Sequence, residues 1–198
     1  MTLICKDKIS SSAIIFIHGF NSSGQSNKAK QLRAYANQHQ IKEDILCPDL
    51  PHLPAEAISL LEGLLARYAV DRVKLIGSSL GGFYATVLAQ RWDVRAVLLN
   101  PAVHPYRLLQ VALGEQVNYR HGERYQFTQQ HLDALHALEP AEQLQRVDNI
   151  MLLVETGDQT LDYRDAVAYY DGCRQIVVPG GEHGFQSFTD HLSNILAF

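Results

Sequence analysis

Short runs of apolar residues alternate along the chain with segments in which apolar residues recur at helical spacing. The runs are continuous rather than alternately apolar and polar, which is typical of strands buried on both faces of a sheet. They cover residues 13–17, 44–48, 73–77, 94–100, 150–155 and 174–178. The helical segments lie between them, at about 26–39, 54–69, 81–91, 161–170 and 185–197. This alternation predicts an α/β fold with a mostly parallel sheet of about six strands and helices on both faces.

The interval from Pro101 to about Asp148 breaks this rhythm. It shows no strand pattern, but it contains amphipathic pieces such as YRLLQVAL and FTQQHLDALHAL. An insertion after the carboxyl end of a strand lies where ligands bind in open α/β sheets. We therefore predict a small helical cap at about 101–148, with ordinary connecting helices as the alternative.

Length, charge and cysteine content narrow the class of protein. The 198 residues suit a single domain, 1–198, with a substantial core. Lys and Arg number 17 against 21 Asp and Glu, and no basic stripe favours nucleic acid or an anionic membrane surface. No signal peptide or membrane-spanning run is visible. Cys5, Cys47 and Cys173 form no C-x-x-C pair, which favours a reducing cytoplasm over a disulfide framework or a zinc site.

The stretch KLIGSSLGGFYATVLAQ, residues 74–90, joins a predicted strand to a predicted helix. Gly77, Ser79 and Gly81 fit the pattern G-x-S-x-G, in which a serine stands at the apex of a sharp strand-to-helix turn. Glycines on both sides remove side chains that would collide with the apex residue. Ser79 is therefore the candidate nucleophile, and Ser78 is its neighbour. A helix-capping serine is the structural alternative.

A serine nucleophile needs a base and a group that orients the base. His183 lies in the stretch PGGEHGF after the last predicted strand, where glycines let the loop bend toward Ser79. Asp158 follows the strand that ends at about Glu155, and a carboxylate there can fix the imidazole tautomer. Asp162 is the rival, although it already belongs to a helical pattern whose first turn it can stabilise. The order Ser79, Asp158, His183 is the order found in α/β-hydrolases.

An oxyanion formed during attack needs backbone donors. One predicted donor is the N–H of Leu80, which follows the nucleophile at the start of a helix. The other is the N–H of Phe20, in the stretch FIHGFNSSG after the first strand. His18 in the same stretch is interpreted as a buried structural histidine, because the predicted donors belong to the backbone.

Neither a metal nor a cofactor is expected. His131 and His136 are five residues apart, a spacing that does not put both on one helix face, and no H-E-x-x-H motif occurs. The stretch GSSLGG lacks the lysine of a phosphate-binding P-loop, and no G-x-G-x-x-G motif is present.

Five segments in the same order resemble the small bacterial YqiA-like and YcfP-like esterases of the α/β-hydrolase superfamily. They are FIHGFNSSGQSNKA, LIGSSLGGFYA, LLNPAVHPY, TGDQTLDYRDAVAYY and GGEHGFQSF. The resemblance runs over nearly the whole chain. It implies an α/β-hydrolase fold and the hydrolysis of carboxylic esters or thioesters, with Ser79, Asp158 and His183 as the catalytic triad.

The function expected from these observations is that of a serine esterase acting on a small acyl ester through an acyl-enzyme. An acyl-CoA thioesterase with the same triad is the rival among enzymes, and a non-catalytic binding module on the same fold is the rival from another class. A cap lined by Val103, Tyr106, Leu109 and Leu113 would suit an apolar acyl chain. The sequence leaves the physiological ester and the oligomeric state open.

Overall fold

Six parallel strands form the central sheet of the molecule. A computed structural model describes residues 9–118, 122–141 and 143–198. The strands of the described residues are β1 (Ala13–Ile17), β2 (Asp44–Leu46), β3 (Val73–Ser78), β4 (Arg95–Leu99), β5 (Gly114–Val117), β6 (Arg124–Phe127), β7 (Ile150–Glu155) and β8 (Arg174–Val178). The sheet has the order β2-β1-β3-β4-β7-β8, and each neighbouring pair is parallel. The carboxyl ends of these strands therefore share one edge.

Helices flank this sheet. In the described residues they are α1 (Asn27–Gln38), α2 (Pro54–Leu65), α3 (Leu80–Trp92), α4 (Pro105–Leu108), α5 (Gln129–Leu138), α6 (Tyr163–Tyr169) and α7 (Phe188–Ala197). Residues 109–112 continue α4 as a single 3₁₀ turn. The predicted parallel sheet with helices on both sides is confirmed, and the predicted strand and helix ends differ from the observed ones by a few residues.

Alternate residues of the strands pack into separate cores on the two faces of the sheet. Ile15 and Leu75 pack on one face with residues of α2, α3, α5 and α6. Phe16 and Ile76 pack on the other face with residues of α1 and α7. All four side chains are fully buried. Burial on both faces explains why the strands read as continuous apolar runs.

The interval 101–148 contains two strands as well as helices, although its sequence shows no strand pattern. Strands β5 and β6 form an antiparallel pair between α4 and α5. Their sequences, GEQV and RYQF, are largely polar, and most of their residues are partly or fully exposed. A two-stranded ribbon outside the main sheet needs no continuous apolar run, which is why the pattern missed it. Residues 119–121 and 142 of this interval lie outside the described residues.

No helix in the described ranges is long and apolar enough to cross a membrane. Cys47 and Cys173 are free, half-buried thiols. Cys5 and the rest of the stretch 1–8 lie outside the described residues.

Candidate active site

Ser79 forms the turn between β3 and α3. Its backbone has φ 55° and ψ −120°, a conformation that non-glycine residues rarely adopt and that costs about 1–3 kcal/mol. The main chain holds this conformation from both sides. Ser79 N–H donates to the carbonyl of Leu99 at 3.0 Å, and the N–H groups of Gly82 and Ala102 donate to the Ser79 carbonyl at 2.9 and 3.1 Å. Ser79 is thus the apex residue of the turn.

Gly77 and Gly81 give this turn the room it needs. A Cβ on Gly81 would overlap the carbonyl oxygen of Ile17 in β1, and a Cβ on Gly77 would overlap the carbonyl oxygen of Gly81. The sequence analysis expected larger side chains at these two positions to collide with Ser79. The structure places them between α3 and the adjoining strands, so the two glycines let the helix pack directly against the sheet.

Ser79, His183 and Asp158 form one hydrogen-bonded chain. Ser79 Oγ lies 3.0 Å from His183 Nε2, and His183 Nδ1 lies 2.8 Å from Asp158 Oδ2. An ionised carboxylate only accepts hydrogen bonds, so Nδ1–H donates to Asp158. That leaves the lone pair of Nε2 to accept the Ser79 hydroxyl proton. The imidazole is therefore held in the tautomer that a general base requires.

The Asp158 carboxylate is fixed by its own loop. Its side chain is 2% exposed, and Oδ1 accepts hydrogen bonds from the N–H groups of Thr160 and Leu161 at 2.8 and 2.9 Å. With one oxygen bound by the backbone, the other faces His183. The structure therefore brings Asp158 to the histidine.

Asp162, the rival acid, lies elsewhere and has a different partner. It caps the N-terminus of α6, where its side chain accepts a hydrogen bond from Arg164 N–H at 3.0 Å. Hydrogen bonds from the Arg164 side chain and backbone lower the pKa of Asp162 to about 2. Asp162 is therefore a helix cap paired with an arginine, as the alternative role suggested.

Two loops pack backbone to backbone to bring Asp158 and His183 together. Gly157 N–H donates to the carbonyl of Gly180 at 2.7 Å. A Cβ on Gly157 would overlap the carbonyl oxygen of Gly181. Only glycine at position 157 allows the loop after β7 to approach the loop after β8 this closely.

Glu155 organises the loop that carries His183. This carboxylate ends β7 and is 1% exposed. Its Oε2 accepts hydrogen bonds from the N–H groups of Glu182 and Gln186 at 2.8 and 3.0 Å, and its Oε1 accepts from the N–H and the hydroxyl of Ser187 at 2.8 and 2.6 Å. Burial acts to raise the pKa of Glu155, but these hydrogen bonds outweigh it and hold the pKa below its ordinary value.

These same hydrogen bonds account for the late start of α7. The sequence pattern places the helix start at about 185, whereas the structure places it at Phe188. The N–H groups of Gln186 and Ser187 donate to Glu155. Phe185 has φ 53°, which is not helical. The buried carboxylate therefore holds this segment as a loop.

Asn100 ties the histidine loop to the centre of the sheet. It follows β4 and is 3% exposed. Its side-chain N–H group donates to the carbonyls of Glu182 and His183 at 3.0 and 3.3 Å, while its oxygen accepts from Glu155 N–H at 2.9 Å. One amide therefore links strands β4 and β7 to the backbone of the candidate base.

The loop after β1 carries the amide of Phe20 past Ser79, and the amide of Leu80 follows Ser79 at the start of α3. A Cβ on Gly19 would lie 3.1 Å from Ser79 Cβ, so this loop passes close to the nucleophile. Within the ranges that the structure describes, the N–H groups of Phe20 and Leu80 donate to no protein acceptor. These are the two amides that the sequence predicts as oxyanion donors.

His18 holds this loop by a side-chain hydrogen bond. It is buried, as predicted. Leu50 N–H donates to its Nε2 at 3.1 Å, so the ring proton is on Nδ1, which donates to the carbonyl of Gly19 at 2.9 Å. His18 in this neutral tautomer connects the loop after β1 to the segment that follows β2.

Side chains of the β5–β6 ribbon also hold this loop by hydrogen bonds. Asn21 has φ 52°, and its side-chain N–H group donates to Gln116 Oε1 at 3.0 Å. Tyr125 O–H donates to Asn21 Oδ1 at 2.7 Å. The two strands missed by sequence analysis therefore help to hold the predicted oxyanion loop.

A cavity of about 480 Å³ opens at Ser79 and His183. Apolar side chains of the segment after β4, including Leu108, Leu109 and Val111, form part of its wall. Leu108 and Val111 are also exposed, so this apolar wall continues to the surface.

Only part of the predicted substrate-binding set lines this cavity. Leu109 does, but Val103, Tyr106 and Leu113 do not, which corrects their prediction. Val103 packs against the core, and Tyr106 stacks on the ring of His136 with centroids 4.3 Å apart. Leu113 is about half exposed, after the 3₁₀ turn. Val103 precedes α4, and the α-helix gives way to a 3₁₀ turn at Leu109, so these side chains do not share one helix face.

No three His, Cys, Asp or Glu side chains of the described residues gather into a set that could hold a metal ion. His131 instead accepts a hydrogen bond from Thr128 N–H at 3.1 Å in the N-terminal cap of α5.

Glu155 and Asn100 were missed by sequence reasoning, although a signal was present. Each is a polar residue at the carboxyl end of a predicted buried strand, IMLLVE and VRAVLLN. In a parallel sheet such positions lie at the ligand-binding edge. Asn21 carries no comparable signal, because its partners are 95 and 104 residues away.

The fold matches those of solved α/β hydrolases. The chain is similar to the mouse α/β hydrolase domain-containing protein 10, with a TM-score of 0.70 and 16% identity over 93% of this chain and 88% of that chain. It is also similar to the methylesterase MES16 of Arabidopsis, with a TM-score of 0.67 and 14% identity over 94% and 99% of the two chains. These likenesses show that this protein has the α/β-hydrolase fold.

Sequence comparison assigns the chain to a protein family. The chain belongs to the uncharacterised protein family UPF0227, whose model matches residues 13–198. A relative is the UPF0227 protein YcfP of Salmonella arizonae, which is 23% identical over 197 residues and covers 93% of this chain and 97% of its own length. The predicted resemblance to YcfP-like proteins is thereby confirmed.

Replacing Glu155 by Gln tests whether its charge holds the histidine loop. The amide presents an N–H group to backbone donors, so we expect a loss of about 1–3 kcal/mol in the free energy of unfolding at pH 7. Because the pKa of Glu155 is depressed in the folded state, its stabilisation is complete above the unfolded pKa, roughly 4.3, and is lost as the pH falls through the folded pKa. The difference between wild type and Glu155→Gln should therefore shrink at acidic pH.

The matched control is Glu182→Gln, because Glu182 is exposed and contributes only backbone groups to this network. Urea unfolding of the three proteins between pH 3 and pH 7 measures the effect. Equal stability of wild type and Glu155→Gln at pH 7, or a difference independent of pH, would contradict the role given to the Glu155 charge.

Proposed function

We propose that this protein is a serine hydrolase that cleaves carboxylic esters through an acyl-enzyme on Ser79. The observation that carries the proposal is the hydrogen-bonded chain from Ser79 through His183 to Asp158, which opens on a largely apolar cavity. A hydroxyl, an imidazole and a buried carboxylate in this order supply a nucleophile, a base and a group that orients the base.

In the first half of the reaction, Ser79 Oγ attacks the acyl carbonyl and His183 Nε2 takes its proton. The tetrahedral intermediate collapses when His183 gives this proton to the oxygen of the leaving alcohol. Asp158 stays ionised and stabilises the imidazolium. In the second half, His183 takes a proton from water, the hydroxide attacks the acyl group, and the acid leaves as the proton returns to Ser79.

The N–H groups of Phe20 and Leu80 stabilise the oxyanion in both halves. Two observations support this assignment: neither amide donates to a protein acceptor in the described ranges, and the loop of Phe20 passes next to Ser79. Removing one donor from such a hole costs a factor on the order of 10²–10³ in kcat in a well-studied enzyme. The loop supports from His18 and Asn21 keep the Phe20 amide in place.

The acyl group lies against the apolar wall formed by the segment after β4. Leu109 and its neighbours in the cavity support this placement, which makes 101–148 a substrate-binding cap within a single domain, 1–198. The name of one structural neighbour, a methylesterase, agrees with ester hydrolysis. The reaction takes place in the cytoplasm, a location supported by the free thiols of Cys47 and Cys173.

Substitution of the two adjacent serines tests the nucleophile. We expect Ser79→Ala to lower kcat by a factor on the order of 10⁶ and Ser78→Ala to retain a large part of the activity, because only Ser79 contacts His183. The measurement is kcat/KM on a panel of acyl esters and matched thioesters of increasing chain length. Equal losses in both folded variants, or no turnover of any substrate by wild type, would contradict the proposal. Higher kcat/KM values for thioesters than for the matched esters would make the protein a thioesterase with the same mechanism.

The two aspartates offer a second matched test. Asp158→Asn should lower kcat by roughly 10⁴, because an amide favours the wrong imidazole tautomer. Asp162→Asn should keep nearly wild-type activity, since asparagine caps a helix as well as aspartate does. Both variants are measured for kcat and for thermal midpoint. A severe loss of kcat confined to Asp162→Asn would overturn the assignment of Asp158.

A further inference from the structure

Lys28 lies where the active-site cavity meets a second, more polar depression. It belongs to the first turn of α1 and lines the cavity together with Ser79 and His183. It also lines an adjoining cleft of about 330 Å³, whose other residues include Gln31, Gln186 and the exposed Glu182. We call this second depression the polar cleft. Lys28 and Gly184 belong to both depressions, so the cavity and the polar cleft are continuous at this point.

The Lys28 ammonium has N–H groups that can bind a ligand. Its Nζ donates to the carbonyl of Gly184 at 2.6 Å, which uses one of its three N–H groups. Within the described ranges no carboxylate lies within ion-pair distance of it. Burial lowers the pKa of Lys28, and the charges of Glu155 and Glu182 raise it. The ammonium is thus partly desolvated at the edge of the cavity.

Lys28 is also the only Lys, Arg, Asp or Glu among the described residues that line the cavity. The remaining wall consists of apolar side chains, serine and threonine hydroxyls and the two histidines. An apolar cavity with one cation at its edge is suited to a substrate that is apolar at one end and anionic at the other.

The position of Lys28 relative to His183 indicates which end of the substrate it faces. In the proposed reaction His183 gives its proton to the leaving group, so the leaving group lies beside the imidazole. Gly184, whose carbonyl holds the ammonium, is the next residue along the chain. The ammonium is therefore held at the histidine loop, where the proposed reaction places the leaving group, whereas the proposed acyl site is the apolar wall.

We propose that Lys28 binds an anionic group, a carboxylate or a phosphate, on the alcohol part of the substrate. The enzyme then prefers esters whose leaving alcohol is anionic over neutral esters of the same shape. This inference rests on the proposed function, because it assigns the leaving-group subsite of that same reaction. A hydrogen bond to a charged group is about twice as strong as a neutral one, so the preference should be about tenfold or more.

The test compares the butyryl ester of 4-hydroxybenzoate with that of 4-hydroxybenzamide, which have leaving groups of similar shape and differ in charge. We expect wild type to give a kcat/KM about tenfold higher for the anionic ester. In Lys28→Met the two kcat/KM values should become equal, and Lys28→Arg should keep most of the preference for the anionic ester. The control is Lys30→Met, which removes an exposed lysine of the same helix and should leave the ratio unchanged. The butyryl ester of 4-hydroxyphenyl phosphate separates phosphate from carboxylate recognition.

Two outcomes would overturn the inference. They are equal kcat/KM values for the paired esters in wild type and an equal loss on both esters in Lys28→Met. The second of these would make Lys28 a purely structural support of the histidine loop. If Lys28→Met does not fold, inhibition of wild type decides the matter: 4-hydroxybenzoate should inhibit about tenfold better than 4-hydroxybenzamide, and equal inhibition contradicts the inference. Wild type could hydrolyse both esters equally well, with this activity lost in Ser79→Ala. That result would refute the subsite and leave the proposed function intact.

Discussion

The strained backbone of Ser79 fixes the positions of the turn, of α3 and of the loop after β1. A serine with φ 55° does not hold this conformation by its own preference; hydrogen bonds to Leu99 and from Ala102 impose it. The turn also forces α3 so close to β1 that position 81 has no room for a Cβ. The loop after β1 consequently lies directly beside the serine. One local constraint thus places both the nucleophile and the amides proposed to stabilise the oxyanion.

The candidate base is positioned by a different physical means. His183 belongs to a loop whose backbone donors converge on one buried carboxylate, that of Glu155, and whose carbonyls are held by Asn100. A buried charge is costly unless every lone pair is used, and here four donors use them. This arrangement rigidifies the loop without regular secondary structure. A catalytic base needs such support, because a small displacement of the imidazole would break its contact with Ser79.

The elements of the fold and the three residues of the hydrogen-bonded chain could be predicted because their signals are local. Continuous apolar runs marked the buried strands, and G-x-S-x-G marked the turn at Ser79. Features that depend on long-range contacts could not be predicted in this way. The β5–β6 ribbon is too polar to stand out, and its link to Asn21 spans about a hundred residues. Of the four predicted residues of the cavity wall only Leu109 lines it, because the change from α4 to a 3₁₀ turn has no signal in the hydrophobic pattern.

Covalent labelling tests whether Ser79 is an activated nucleophile. A fluorophosphonate reacts with a serine hydroxyl that a neighbouring base activates, and residues 75–91 form one tryptic peptide that contains both Ser78 and Ser79. Intact-mass and fragment-ion analysis of the folded protein should show one adduct, on Ser79, within this peptide. Absence of an adduct on folded protein, or an adduct on Ser78 or elsewhere, would show that Ser79 is not the activated nucleophile.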